Sequence, residues 1–303
     1  MTYSDPKNDI AFKKLFGDKN HTDITINFLN AILERTGDDE ISSLSIIDPA
    51  NHPNNDGQKL SVVDVRCTDK NGVQYIVEMQ VIDKDNFIER SQYYTALTLS
   101  NQLKKGMDYK KVRPVIFVGV VNFLIDSSPH YLNHHHILNT RTNQHILRHM
   151  EFHFLELPKF KKAESDLTTI ADKWTYLLKK ADRFKTIPSS LKSQSAILKA
   201  LDVLNQHNWS YEEQLAYRKY MDAINSERYS RRAGIKTGLE KGIEIGVRKG
   251  REEGALAKAH QIAKSLLQLH DVATVVSITG LSENEVRALK SACAQGACKT
   301  TVV

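Results

Sequence analysis

The chain is poor in cysteine, with Cys67, Cys293 and Cys298 the only three among 303 residues. A disulfide-stapled scaffold is thereby excluded. No apolar run approaches the ~20 residues that a membrane-spanning helix needs. The opening MTYSDPKNDIAFKK lacks the apolar stretch of an export signal. These absences lead us to expect a cytoplasmic protein with no membrane contact. Neither a Walker-type nor a dinucleotide glycine loop occurs, so nucleotide binding through those devices is not expected. No CxxC or HExxH accompanies the run His134-His135-His136. Adjacent strand side chains point to opposite faces, so three histidines in a row make a poor metal site.

What is present is enough for a real core. Apolar residues make up 41% and charged residues 26% of the chain, ordinary for a soluble fold. The length suits one large domain or two modest ones. A net charge of +6 permits an anionic partner without identifying one. From Arg231 to Lys258, eight basic residues stand against four acidic ones, an excess of four. The same stretch places glycine at a strict four-residue step: Gly234, Gly238, Gly242, Gly246, Gly250 and Gly254. A composition break therefore lies near residue 230.

Before that break, strand-like and helix-like segments alternate. Helical spacing marks residues 7–16 and 22–35. Residues 44–48 read as a short strand, and 51–57 as a loop. Residues 60–68 and 73–82 alternate apolar and polar positions around Asp69-Lys70-Asn71-Gly72, a hairpin signal. A long helix is expected over 87–105, stopped by Gly106. The run 114–123 is nearly continuous apolar, as in a buried central strand. Further strands are expected at 137–138 and 147–157, and helices at 166–186 and 189–206. This mixture predicts an α/β core.

The hairpin carries the chemistry. Asp64 interrupts Val62, Val63 and Val65, and Glu78 interrupts Ile76, Val77 and Met79. A carboxylate among apolar strand residues is costly unless paired, hydrogen-bonded or bound to a metal. Gln80 shares the Glu78 face. Two carboxylates and an amide on one sheet face suit Mg²⁺, which takes hard oxygen ligands and retains water. Ordinary salt bridges, with Arg66 an available partner, would also account for the pair. Register discriminates. A two-residue Asn71-Gly72 turn pairs Asp64 with Met79 and sends Glu78 to the other face. A three-residue Lys70-Asn71-Gly72 loop pairs Asp64 with Glu78.

The pattern Asp64…Glu78-Met79-Gln80 resembles the core of PD-(D/E)XK nucleases, with Gln80 where many members carry Lys. The segment Asn8-Asp9-Ile10-Ala11-Phe12-Lys13-Lys14-Leu15-Phe16-Gly17 resembles the opening of one branch, the Rpn family of recombination-promoting nucleases and transposase-like proteins. Arg90, Tyr94 and Gln102, then Gly106-Met107-Asp108-Tyr109, Pro114-Val115-Ile116 and Glu156-Leu157-Pro158-Lys159-Phe160, match it in order and spacing. The resemblance covers roughly residues 1–160. It implies a restriction-endonuclease-like fold, with a mixed central sheet flanked by helices and a helical C-terminal arm. It also implies metal-dependent hydrolysis of DNA phosphodiester bonds. Asp64 and Glu78 would bind Mg²⁺ or Mn²⁺, with the Met79 carbonyl a further ligand. Gln80 could orient water or phosphate but not act as a charged base. Asp9 would be an accessory acid, against the alternative of a solvated helix-start residue. Lys13 and Lys14 could contact DNA phosphate or simply form a solvated face. Arg90 and Tyr94, four apart on one helix, share a face over the hairpin, where packing alone would also suit them.

The expected organisation is a nuclease-like domain over 1–190, a helical connector over 191–230, the glycine-step arm over 231–260 and a small C-terminal segment over 261–303. Each interior glycine weakens a helix by up to ~1 kcal/mol. The arm therefore reads either as a self-association element, giving a homo-oligomer, or as a loosely ordered basic linker. Near the end, Ser282 and Glu285 form a capping-box pattern after Gly280, which resembles a helix-turn-helix. Against the enzyme reading stands a non-enzyme one: a degenerate nuclease fold that binds DNA or self-associates.

Overall fold

A computed structural model describes residues 2–51, 61–83 and 86–294. The chain divides into two units, Met1–Ser226 and Glu227–Val303. In the first, helix α1 (Asp9–Phe16) begins where the Asn8 side chain accepts hydrogen bonds from the amides of Ile10 and Ala11. This satisfies donors that a helix's first turn leaves open. Helix α2 (Thr22–Ile32) follows. Strands β1 (Leu44–Ile47), β2 (Ala50–Asn51), β3 (Ser61–Val62), β4 (Val65–Asp69) and β5 (Gln74–Gln80) come next. After helix α3 (Phe87–Ser100) come β6 (Val115–Val121), β7 (Leu132–Ile137) and β8 (Leu147–Glu156), then helices α4 (Ile170–Lys180) and α5 (Ser195–Leu204). Most of the loop expected over 51–57 lies outside the described residues.

Six strands form one mixed sheet in the order β1-β4-β5-β6-β8-β7, while β2 and β3 pair separately. The central pairs β5/β6 and β6/β8 are parallel, and the flanking pairs are antiparallel. Every residue of β6 is buried, because both its faces are covered. On one face, Ile116, Val118 and Val120 join residues of α1, α2, α4 and α5 in the main core. Phe12, Phe16, Phe28 and Trp174 pack ring to ring there, with centroids 4.6–5.9 Å apart. On the other face, Phe117 and Val121 pack with Phe87 of α3 and with Phe154. This α/β architecture is the one the sequence predicts.

Three local expectations are corrected. The helix expected over 87–105 ends at Ser100. The Gln102 side chain turns outward to bond both the amide and the carbonyl of Arg113, at 2.7 and 2.9 Å. That clamp pulls the chain off the helix axis, and Gly106 instead takes a positive φ of 87° in the following turn. The strand expected at 137–138 runs over Leu132–Ile137, because β8 extends far enough to pair the whole histidine run. Asp64 stands at a bend between β3 and β4 rather than within one continuous strand.

In the second unit, helix α6 (Tyr211–Leu266), which begins in the first unit, carries the glycine steps. It is followed by α7 (Val272–Thr279) and α8 (Glu283–Ala294). Gly280, at φ 69°, ends α7. Ser282 and Glu285 exchange side-chain-to-amide bonds at the start of α8. Ala263, Val275, Leu281 and Val286 form a small core of their own. Cys298 lies outside the described residues. Among the described residues, no helix is long and apolar enough to cross a membrane.

Candidate active site

The hairpin loop decides where the carboxylates stand. β4 and β5 pair Val65 with Val77 and Thr68 with Gln74. Beyond that ladder, the Asp69 amide bonds the Val73 carbonyl at 3.0 Å, enclosing Lys70, Asn71 and Gly72. Gly72 has φ 80°, the left-handed conformation that a three-residue hairpin loop requires. Continued one step, this register sets Asp64 opposite Glu78, as the three-residue alternative predicts.

At that step the backbone ladder gives way to side chains. The Asp64 amide donates to Glu78 Oε1 at 3.0 Å. The Met79 amide donates to Asp64 Oδ2 at 2.8 Å. One oxygen of each carboxylate is thus fixed by backbone. Of the other two, Asp64 Oδ1 faces the Lys13 ammonium at 3.6 Å, and Glu78 Oε2 lies 3.5 Å from the Gln80 amide nitrogen. Asp9, one helical turn before Lys13 on α1, holds that ammonium at 2.9 Å. Asp9, Lys13, Asp64, Glu78 and Gln80 therefore come together from α1 and the hairpin.

Helix α3 closes the other side. Burial pushes the Glu78 carboxyl up, Asp64 adds to the rise, and the Arg90 guanidinium opposes it. Burial also raises Tyr94, whose hydroxyl feels Arg90, Glu78 and Asp64. Arg90 and Tyr94 thus face the hairpin. Arg90 Nε and Nη2 are buried without a hydrogen-bond partner among the described residues, and the guanidinium lies 5.7 Å from the Phe87 ring centroid. Lys14 is not brought here: its ammonium pairs with Glu213 and lies 5.6 Å from the Trp209 ring centroid. Arg66, considered as a salt-bridge partner from sequence, donates to Gln74 at 2.8 Å.

The electrostatics suit a cation. Asp64 is raised by burial and by Asp9, against the pull of the Met79 amide and Lys13. Two carboxyls, Glu78 buried and Asp64 half-buried, that are both held above their ordinary range have too little positive charge around them. A hard divalent cation held by Asp64 and Glu78 would correct this, so the donor set fits Mg²⁺ or Mn²⁺. Lys13 is pushed down by burial, but Asp9 and Asp64 outweigh that and hold it above its ordinary value. It therefore stays charged.

Sequence reasoning assigned Glu156, within the matched Glu156–Phe160 segment, no role. Its buried carboxylate accepts the Ile125 amide at 2.8 Å, the Asn133 amide group at 3.1 Å and the Lys159 ammonium at 2.6 Å. It fastens the crossing from β6 to β7.

A family model described as PD-(D/E)XK nuclease family transposase matches residues 6–232. The chain belongs to this family. No match was found among curated proteins or among solved structures. Asp64 and Glu78 stand where the β4–β5 ladder ends, and Lys13 of α1 is the ammonium found beside Asp64.

Proposed function

We propose that this member of the family is a divalent-metal-dependent DNA endonuclease acting in a recombination-promoting or transposase-like role. The observation that carries the reading is the Asp64–Glu78 pair, half-buried and buried in turn, each anchored through one oxygen and each with a raised pKa. Asp64 and Glu78 would hold Mg²⁺ or Mn²⁺, with the Met79 carbonyl a further ligand. When bound, the cation would polarise a phosphoryl oxygen and lower the pKa of an attacking water. Asp9 positions the Lys13 ammonium. A lysine kept charged serves to bind phosphate or to meet negative charge building on the leaving oxygen, not as a general base. Arg90, with two unpartnered donors beside Glu78, suits a backbone phosphate. Gln80 orients water or phosphate through its amide, and Tyr94 lines the same side.

The second reading rests on Gln80. Without the family's lysine on β5, the fold would bind DNA without cutting it, or would self-associate through the glycine-step part of α6. Nicking of supercoiled plasmid by wild type and Asp64→Ala, in Mg²⁺ or EDTA, separates the two. Metal-dependent nicking that disappears in Asp64→Ala is the expected result. Equal nicking by both proteins would overturn the assignment. No nicking by either, with salt-sensitive DNA binding retained, would favour the non-cleaving reading.

A further inference from the structure

Seven of the twelve histidines fall between His130 and His153. Strand pairing sorts them. His134 stands opposite His153, and His136 opposite Glu151, on the antiparallel β7 and β8. Alternate residues share a face, so these four side chains project together. Phe152 and Phe154, between and beyond them, belong to the α3 side. Leu155 belongs to the main core. The histidine face is thus the face opposite to that of Glu78, and β6 separates the two strand systems.

A register shift between His136 and Ile137 opens the edge, and His145 returns from the connecting loop. Its ring centroid lies 4.7 Å from that of His136. The ligand atoms of His136, His145 and Glu151 all lie within 4.8 Å of one another. The Glu151 carboxylate is also 4.0 Å from His136 Nδ1 and 3.6 Å from His153 Nε2. His153 is 3% exposed, and its Nε2 has no hydrogen-bond partner among the described residues. His145 Nε2 is likewise buried and without one. A cavity of about 330 Å³ opens in front of His134, His136, Glu151 and His153. Its far wall is the turn after α2, where Glu34 adopts a positive φ of 53° and reaches within 3.6 Å of His134.

We propose that His136, His145 and Glu151 form a second metal site, on the opposite sheet face from the carboxylate pair, for a borderline divalent cation of the Zn²⁺ class. Two imidazoles and one carboxylate are a nitrogen–oxygen set that such ions favour, whereas Mg²⁺ prefers oxygen alone. The buried His153 stands behind the Glu151 carboxylate as the outer partner that orients it. Bound there, the cation ties the β7–β8 hairpin to its own connecting loop at the edge of the sheet. The histidine triplet does not supply this site by itself. One histidine of β7, one glutamate of β8 and one loop histidine supply it.

The full-length protein, stripped of metal, is titrated with Co²⁺ as the spectroscopic probe and then with Zn²⁺ to displace it. Wild type and Asp64→Ala should both develop the intense visible absorption of one four-coordinate Co²⁺, and Zn²⁺ should abolish it. His145→Ala, a loop substitution that leaves both strands intact, should weaken binding by more than the roughly 10–100-fold that an outer partner is worth. Glu151→Gln, of the same shape, should do likewise. His153→Phe should fall within that 10–100-fold range. The proposal is overturned by an absent band in wild type, by a band unchanged in His145→Ala and Glu151→Gln, or by a band lost in Asp64→Ala.

Discussion

Replacing Glu78 by Gln should stabilise the metal-free protein while removing its metal response. Glu78 is 4% exposed, and taking a carboxylate into such a place costs several kcal/mol even after relaxation. The Asp64 amide at 3.0 Å offsets ~1.5–3 kcal/mol of that, as a hydrogen bond to a charged group. Arg90 offsets a further part, yet the carboxyl remains above its ordinary range because burial and Asp64 prevail. We take the remainder as ~2 kcal/mol. A carboxyl raised in the folded state binds more protons folded than unfolded. Its stabilising contribution is complete below the unfolded pKa of ~4.3 and is lost as pH rises through the raised folded value. Gln accepts the same amide bond at every pH. In EDTA, Glu78→Gln should therefore melt close to wild type near pH 4.5 and ~4–8 °C higher at pH 8, by scanning calorimetry. Added Mn²⁺ should raise the wild type's melting temperature more at pH 8 than at pH 6 and leave the variant unmoved. A variant less stable than wild type at both pH values would refute the reasoning. It would mean that the Glu78 charge holds the fold together through Arg90.

Two further substitutions test the frame around the site. Asp172 is fully buried and accepts from Tyr131, Lys162, Thr168 and Thr169. Burial pushes its carboxyl up, but those donors outweigh it and hold it well below the usual carboxylate range. Asp172→Ala should lose ~3–5 kcal/mol in urea unfolding near neutral pH. The contribution is present above the unfolded pKa of ~3.9 and disappears as pH falls through the depressed folded value. An unchanged midpoint would count against it. Gly119 pairs with Glu78 across β5 and β6, and a Cβ there would stand 2.9 Å from the Phe154 ring and 3.1 Å from Phe117. Gly119→Val should lower stability by ~1–3 kcal/mol through overpacking, and an unaltered melting temperature would show that the rings yield freely.

The sequence was most legible where one physical constraint acted alone. The apolar run 115–121 had to be a strand covered on both faces, and it is. The loop length at 70–72 decided which faces Asp64 and Glu78 could share, because side chains alternate strictly along strands. The end of α3 was not legible. Nothing local to Ser100 stops a helix, and the cause is the Gln102 clamp on Arg113, eleven residues on. The histidine cluster was hidden for a related reason. Alternation within one strand argues against three neighbours sharing an ion, but the partners of His136 come from β8 and the connecting loop, and strand pairing at long range cannot be read from the triplet. Lys14 shows the converse. It is as basic as Lys13 and adjacent to it, yet one residue on a helix turns the side chain by about 100°, toward Glu213 and Trp209 instead of Asp64.

The break in the sheet at Asp64 follows from the chemistry placed there. An uninterrupted ladder, continued by twos from the Asp69–Val73 bond, would engage the Met79 amide with residue 63 and leave both carboxylates to find donors elsewhere in an apolar setting. Instead, β4 stops at Val65, and the freed amides of Asp64 and Met79 serve the two carboxylates. The strand pairing lost at this step is replaced by two amide-to-carboxylate bonds, which are stronger than neutral ones. The β4–β5 pairing ends at Val65 and Val77, while β5 stays paired with β6 as far as Gln80 and Val121. The opening lies toward α1 and α3, which bring Asp9 and Lys13 on one side and Arg90 and Tyr94 on the other. A strand that reads as continuous in its apolar pattern is therefore interrupted at the residue whose charge needs the backbone most. The interruption leaves the second oxygen of each carboxylate without a backbone donor, facing Lys13 from Asp64 and Gln80 from Glu78.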